Sequence, residues 1–253
     1  MSKAIAFYLQ KGGVGKTTVA GTLAAQSALK GNKTLMIDCD PQGNLSSWFL
    51  DSAPRFELAD VLQGKCFVSD AIIPVDNLPE LAILPTFGIG GSLKNYSETK
   101  LVDEPFVIQD LISELSDYEH IVLDLSPGFG RLERAALIAS DEIITPMTPE
   151  VFSLDGLEIF IDELAKLKKN FKSTVKHNKT IINSFDERIK QHRDIFAAAS
   201  ASGRYEVFKI PVDPLFRKAQ EAGKIPQLYK TRGRGLKPAT IEALYALNKL
   251  IWK

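Results

Sequence analysis

The 253-residue sequence predicts an α/β fold: a doubly wound, mostly parallel sheet flanked by helices, in a single domain over residues 1–253. Three observations carry this. Short apolar runs that read as buried strands alternate with helix-forming runs along the whole chain. The first join between them is a glycine-rich turn, Gln10-Lys11-Gly12-Gly13-Val14-Gly15-Lys16-Thr17-Thr18. No internal repeat, low-complexity tract or interdomain linker interrupts the alternation.

Composition sets the outer bounds. Hydrophobic residues make up 45% and charged residues 25%, enough for a sizeable core without disulfides or structural metals. No run reaches the roughly 18–20 apolar residues of a membrane span. Met1-Ser2-Lys3 leads almost directly into a strand, so no signal peptide and a cytoplasmic location are expected. Cys39 and Cys66 are too few and too far apart for a disulfide framework, and Cys39 reads as a small buried residue at a strand end. His120, His177 and His192 lack ligand spacing. Net charge is zero but unevenly spread. Residues 1–165 hold 11 Lys and Arg against 24 Asp and Glu, whereas residues 166–253 hold 20 against 7. Such asymmetry suggests a basic face suited to an anionic polymer or membrane surface.

The elements follow in order. Ala4 to Leu9 reads as a buried strand and Val19 to Gln26 as helix, ending near Gly31-Asn32. The turn between them has the context of a phosphate-binding loop. Its glycines let successive backbone N–H groups point into one concavity, and the helix adds its free N–H groups and dipole. Lys16 would reach the β- and γ-phosphates, and the Thr17 hydroxyl would ligate Mg²⁺. The loop departs from G-x-x-x-x-G-K-T: position 10 is Gln, and Lys11 adds a second cation. A second strand, Thr34 to Ile37, runs into Asp38-Cys39-Asp40-Pro41-Gln42-Gly43-Asn44. Carboxylates at that strand end lie where open α/β sheets bind ligands, able to orient water or help hold Mg²⁺. Residues 46–100 read less clearly, with a short helix at Phe56–Gly64, a strand at Leu81–Pro85 and a linker at Gly88–Ser92.

Phe106 to Leu115 carries Ile108, Leu111, Ile112 and Leu115 on one helical face. The strand His120–Leu125 then places Asp124 where P-loop NTPases hold Mg²⁺ through water. A helix at Arg131–Ala139, a strand at Glu142–Pro146 and a long helix from Ser153 to about Lys169 come next. Thr180–Asn183 and Tyr205–Ile210 read as strands around a helix from about Glu187 to Ala199. Pro238 to Lys253 is amphipathic, but its polar face carries only Lys249, Lys253 and Glu242. A membrane-surface helix has a strongly basic polar face, so packing against the domain is expected. Lys209, Arg217, Lys218, Lys224, Lys230, Arg232, Arg234 and Lys237 form a basic stretch suited to phosphate contact.

Lys11-Gly-Gly-Val-Gly-Lys-Thr-Thr18 resembles the deviant Walker A loop of the ParA/MinD superfamily, and Asp38-x-Asp-Pro-Gln-Gly-Asn44 resembles its second motif. The likeness runs nearly the full length. It implies an ATPase using ATP and Mg²⁺, with Gly12, Gly13, Val14, Gly15, Lys16, Thr17 and Thr18 around the phosphates. It also implies that Lys11 reaches across a sandwich homodimer to the partner subunit's ATP. Asp40 would position or activate the hydrolytic water, and Asp38 would lie near the Mg²⁺ shell. By family position, Asn183 and Pro211, Val212 and Asp213 would flank adenine. After Asp124 the family usually has x-Pro-Pro, whereas here the run is Leu125-Ser126-Pro127-Gly128-Phe129-Gly130, so the conformation of this loop is left open.

Asp-x-Asp-Pro-Gln-Gly-Asn favours a ParA-type partition ATPase. The expected partners are DNA bound without sequence preference and a ParB-like centromere-binding protein, with nucleoid association and no membrane. The alternative is a MinD-like or other cargo-positioning ATPase. Cys39 and Cys66 match neither cluster position of an iron protein.

Overall fold

The computed structural model describes residues 2–101 and 104–252, with backbone alone at residues 151–155. Eight strands form one sheet: β1 (Lys3–Phe7), β2 (Thr34–Cys39), β3 (Ile73–Pro74), β4 (Leu81–Leu84), β5 (His120–Leu125), β6 (Glu142–Met147), β7 (Lys176–Phe185) and β8 (Glu206–Pro211). Their order is β3-β4-β2-β5-β1-β6-β7-β8, parallel throughout except for antiparallel β3 at one edge. The helices are α1 (Lys16–Ala28), α2 (Asn44–Phe49), α3 (Leu58–Leu62), α4 (Val68–Ala71), α5 (Leu93–Asn95), α6 (Val107–Ser113), α7 (Arg131–Ala139), α8 (Val151–Phe171), α9 (Lys190–Ala201), α10 (Leu215–Glu221) and α11 (Pro238–Ile251). A π-helical turn, Tyr96–Lys100, continues α5.

The period-2 geometry of β1 divides the core. Ala4, Ala6 and Tyr8 face one layer with residues of α3, α6, α7 and α8, while Ile5 and Phe7 face the other with α1, α2, α10 and α11. Both faces of the central strands are covered, so they read as continuous apolar runs. The amphipathic C-terminal stretch is α11. Leu244, Leu247 and Ile251 are buried with α1, which spends its apolar face on the domain. Lys253, placed on its polar face from sequence, lies outside the described residues. No helix among the described residues is long and apolar enough to cross a membrane.

The expected elements are present, with differences that tertiary packing explains. Strand β7 runs ten residues rather than four, because pairing with β6 extends it towards the polar Lys176 end. Helices α2 and α10 escaped sequence reading because each is short and is fixed by contacts from distant residues. The stretch Gly88–Ser92 is a loop but not a free linker. A Cβ on Gly43 would meet the Gly88 Cα at 2.7 Å, so this loop lies directly against the second motif. Glu57, fully buried, accepts bonds from the backbone N–H groups of Phe87 and Ser92 and the hydroxyls of Thr86 and Ser92, holding it there.

Candidate active site

Parallel strands bring their carboxyl ends to one edge of the sheet, where ligands bind in open α/β folds. The glycine loop follows β1, Asp38 and Asp40 lie at the end of β2, and Asp124 lies near the end of β5. Strand pairing sets β1 against β5 with Phe7 opposite Asp124, and β2 against β5 with Asp38 opposite Asp124. Sequence-distant acids thereby become neighbours beside the loop.

The loop is shaped by two left-handed glycines, Gly13 (φ 75°) and Gly15 (φ 88°), the latter at the start of α1. Gly12 and Gly13 face open space, while a Cβ on Gly15 would strike the Asn183 amide nitrogen at 2.2 Å. Asn183 donates to the Val14 carbonyl at 3.1 Å. Its observed work is thus to brace the loop from β7, and Val14 turns its side chain into the core beside Leu9, Met147 and Ile182. A cavity of about 650 Å³ opens over the loop, lined by Gly12, Gly13, Gly15, Lys16, Thr17 and Thr18 with Asp40, Trp48, Pro127 and Gln220.

Lys16 is buried and curls back, donating from Nζ to the carbonyls of Lys11 (2.8 Å) and Leu9 (3.2 Å). Burial pulls its pKa below the ordinary lysine value, and the carboxylates of Asp124 and Asp40 oppose that pull. Lys11 points away from this cluster and pairs with Glu150 at 3.0 Å. Asp40 lines the cavity, with one carboxylate oxygen accepting the Gln42 N–H at 2.9 Å.

Asp38 and Asp124 are both fully buried, yet their surroundings differ. Asp38 accepts from the Ser46 N–H (2.8 Å), the Ser46 hydroxyl (2.6 Å) and the Asp40 N–H (3.2 Å). Burial still pushes its carboxyl up to about 7. Neither oxygen of Asp124 has a partner at full hydrogen-bond geometry among the described residues, although the Thr17 hydroxyl lies near enough to favour its charged form. Burial, then the Asp38 charge, raises its pKa well above the carboxylate range. A buried carboxylate so thinly satisfied costs on the order of several kcal/mol to hold charged, and a cation beside it would offset that cost. With Thr17 and an anion cradle alongside, the donor set fits a hard, oxygen-loving ion that takes its other ligands from phosphate and water.

The remaining expected residues divide. Pro211 and Val212 line a separate cavity of about 800 Å³ with Phe185, Phe196 and Lys237, away from the glycine loop. Asp213 is buried and accepts from the N–H groups of Leu215 and Lys237 and the Thr240 hydroxyl, tying α10 to α11. Gln220 and Trp48 were not singled out from sequence. Gln220 exchanges hydrogen bonds with the Thr18 hydroxyl, and the Trp48 indole donates to the Lys224 carbonyl. No local motif announces either residue.

Among the basic residues, Lys218, Lys224, Lys230, Arg232, Arg234 and Lys237 are exposed. Arg217 pairs with Glu221 and Lys209 with Glu187. Thr231 and Arg234 exchange backbone bonds at 3.0 Å, with Arg232 (φ 51°) and Gly233 (φ 76°) between them. Arg232 and Arg234 therefore stand on a tight turn of type I′ geometry, not on the slack backbone that Arg-Gly-Arg-Gly suggests.

Comparison with known proteins agrees with this geometry. A family model described as an AAA domain matches residues 2–177. The chromosome-partitioning ATPase Soj of Treponema pallidum is 33% identical over 201 residues, covering 77% of this chain and 76% of that protein. The sporulation initiation inhibitor protein Soj of Bacillus subtilis is 31% identical over 248 residues, covering 93% and 94%. The chain belongs to the ParA/Soj family of ATPases. A plasmid partition protein of Borrelia burgdorferi B31, solved with AMPPNP, superposes with a TM-score of 0.81 at 25% identity, over 100% of this chain and 98% of that one. As a member of the ParA/Soj family the protein is an ATPase, and its eight-stranded sheet is the family's fold.

Proposed function

We propose that the cavity over the glycine loop binds ATP with Mg²⁺ and that the protein is a partition ATPase working as an ATP-dependent dimer. The observation that carries this is the buried Asp124 carboxylate, which lacks a full hydrogen-bond complement and lies in register with Asp38 beside Thr17 of the glycine loop. In this reading the Gly12–Thr18 backbone and the start of α1 hold the phosphates. Lys16 exchanges its two carbonyl partners for β- and γ-phosphate oxygens. Thr17 and Asp124 hold the metal, with Asp38 behind them fixing the turn that carries Asp40. The bound Mg²⁺ offsets charge on the phosphates. Asp40, within the cavity but held by a single backbone N–H, orients the attacking water.

Lys11 leaves Glu150 and meets the ATP of the partner subunit, so dimerisation completes the site. Two copies of the basic turn then face DNA together, which makes DNA binding depend on ATP and independent of sequence. A ParB-like adaptor stimulates the cycle, and the cargo is a plasmid or chromosome held on the nucleoid. The buried apolar face of α11 weighs against a MinD-like membrane helix. ATPase rates measured alone, with non-specific duplex DNA and with anionic lipid vesicles test the reading. Stimulation by DNA supports it, while stimulation by vesicles alone favours the membrane-positioning class.

A further inference from the structure

The loop that departs from the family pattern, Ser126 to Gly130, is tied down by side chains that the sequence motifs do not include. Tyr8 directly follows β1, two residues before the glycine loop begins at Gln10, and it is fully buried. Its ring packs edge-on against Phe160 at 4.8 Å. A buried phenol must find an acceptor, and its hydroxyl donates to the Gly128 carbonyl at 2.5 Å, across 120 positions of sequence. The Gly128 N–H in turn donates to the Ser126 hydroxyl at 3.1 Å. That hydroxyl donates to Glu133, a buried carboxylate in the first turn of α7. Both backbone groups of Gly128 are thus claimed, one from β1 and one through Ser126 and α7.

Pro127 lies inside this tied segment and lines the same cavity as Gly13, Thr17 and Asp40. The segment begins two residues beyond Asp124 and reaches the cavity through Pro127. A proline at position 126 would supply stiffness but no hydroxyl, so Gly128 and Glu133 would both lose a partner. Ser126 and Tyr8 together replace that stiffness with hydrogen bonds.

We propose that Tyr8 is a positioning residue for ATP hydrolysis, its hydroxyl holding Gly128 so that Pro127 closes the phosphate end of the cavity. This rests on the reading of that cavity as the ATPase site. The backbone cradle that binds ATP is independent of the tie, so loosening it should slow the chemical step while leaving nucleotide binding in place.

Tyr8→Phe keeps the ring and removes the hydroxyl. ATP affinity, followed with a fluorescent ATP analogue, is expected to stay within about threefold of wild type while kcat falls about tenfold, the loss of one buried hydrogen bond from the reactive arrangement. Ser126→Ala, reaching the same loop from its other side, is expected to lower kcat similarly, and the double variant to lose less than the product of the two. A purely structural tyrosine would lower thermal stability and affinity together without separating kcat from KM. Wild-type kcat in Tyr8→Phe, or independent losses in the double variant, would overturn the proposal while wild-type hydrolysis in the same assay leaves the site assignment standing. A wild-type protein that neither binds nor hydrolyses ATP would remove both.

Discussion

The two ends of the sheet treat buried charge in opposite ways. At the amino end, Glu142 is buried but receives Lys179 and lies 3.6 Å from Lys3. Lys3 also donates to the Ile251 carbonyl at 2.5 Å, and Asp141 accepts the Ala4 N–H at 2.8 Å. His177, at the start of β7, is held neutral, its pKa lowered to about 4 by burial beside Thr145 and Phe160. At the carboxyl end, Asp124 has little beyond the Thr17 hydroxyl among the described residues, and Lys16 makes do with two backbone carbonyls. One end is finished by folding alone. The other is left in deficit, and a ligand that supplies phosphate and a divalent cation corrects it.

Removing a charge should therefore have opposite consequences at the two ends. The largest effect is expected from Lys16→Ala, which removes a cation whose observed partners are replaceable carbonyls. ATP affinity should fall at least about a hundredfold, the worth of a charge-assisted bond to phosphate, with folding intact by circular dichroism. Retained affinity by titration calorimetry would break the comparison at its centre.

Hydrolysis comes next. Asp40→Ala should bind ATP and accumulate as a long-lived dimer, while Lys11→Ala should bind ATP but neither hydrolyse nor dimerise. Light scattering with ATP separates them. An Asp40→Ala protein that stays monomeric while wild type dimerises would remove Asp40 from its role.

Stability gives the sharpest contrast. Lys179→Ala leaves Glu142 short of a partner and should cost about 3 kcal/mol in urea unfolding, the usual penalty for breaking a buried pair. Asp124→Asn replaces a buried carboxyl whose charged form burial already disfavours, so without nucleotide it should leave stability unchanged or raise it by about 1 kcal/mol. Equal losses in both variants would erase the difference between the ends.

The acid limb of stability reports on His177. Because its folded pKa lies below the unfolded one, its contribution is complete above pH 6.5 and drains away as pH falls towards 4, by at most about 3 kcal/mol. His177→Gln should flatten this part of the pH profile. The smallest effect concerns the exposed turn. If Arg232 and Arg234 of each subunit neutralise one DNA phosphate apiece, Arg232→Ala/Arg234→Ala should make the salt dependence of the dimer shallower by about 3.6 in log–log slope. An unchanged slope would assign these arginines to the protein partner or to solvent.

Residues adjacent in sequence determined much of this protein on their own. Glycine spacing followed by Lys16-Thr17-Thr18 announced the loop and its helix, because left-handed turns and free helix N–H groups are local properties. Alternating apolar runs announced the parallel sheet, and carboxylates at strand ends announced where ligands meet it. What sequence left open are relations between distant segments. Strand order placed Asp38 opposite Asp124, and only the folded surroundings show that Ser46 holds Asp38 while Asp124 has little beyond the Thr17 hydroxyl. The fold makes Asn183 a brace, donating to the Val14 carbonyl, and Asp213 a tie between α10 and α11, accepting from the Lys237 N–H. Tyr8 reads as one more apolar residue until the fold brings Gly128 to its hydroxyl. Hydrogen bonds of this kind depend on ångström-scale placement across more than a hundred residues, which periodicity and composition do not encode.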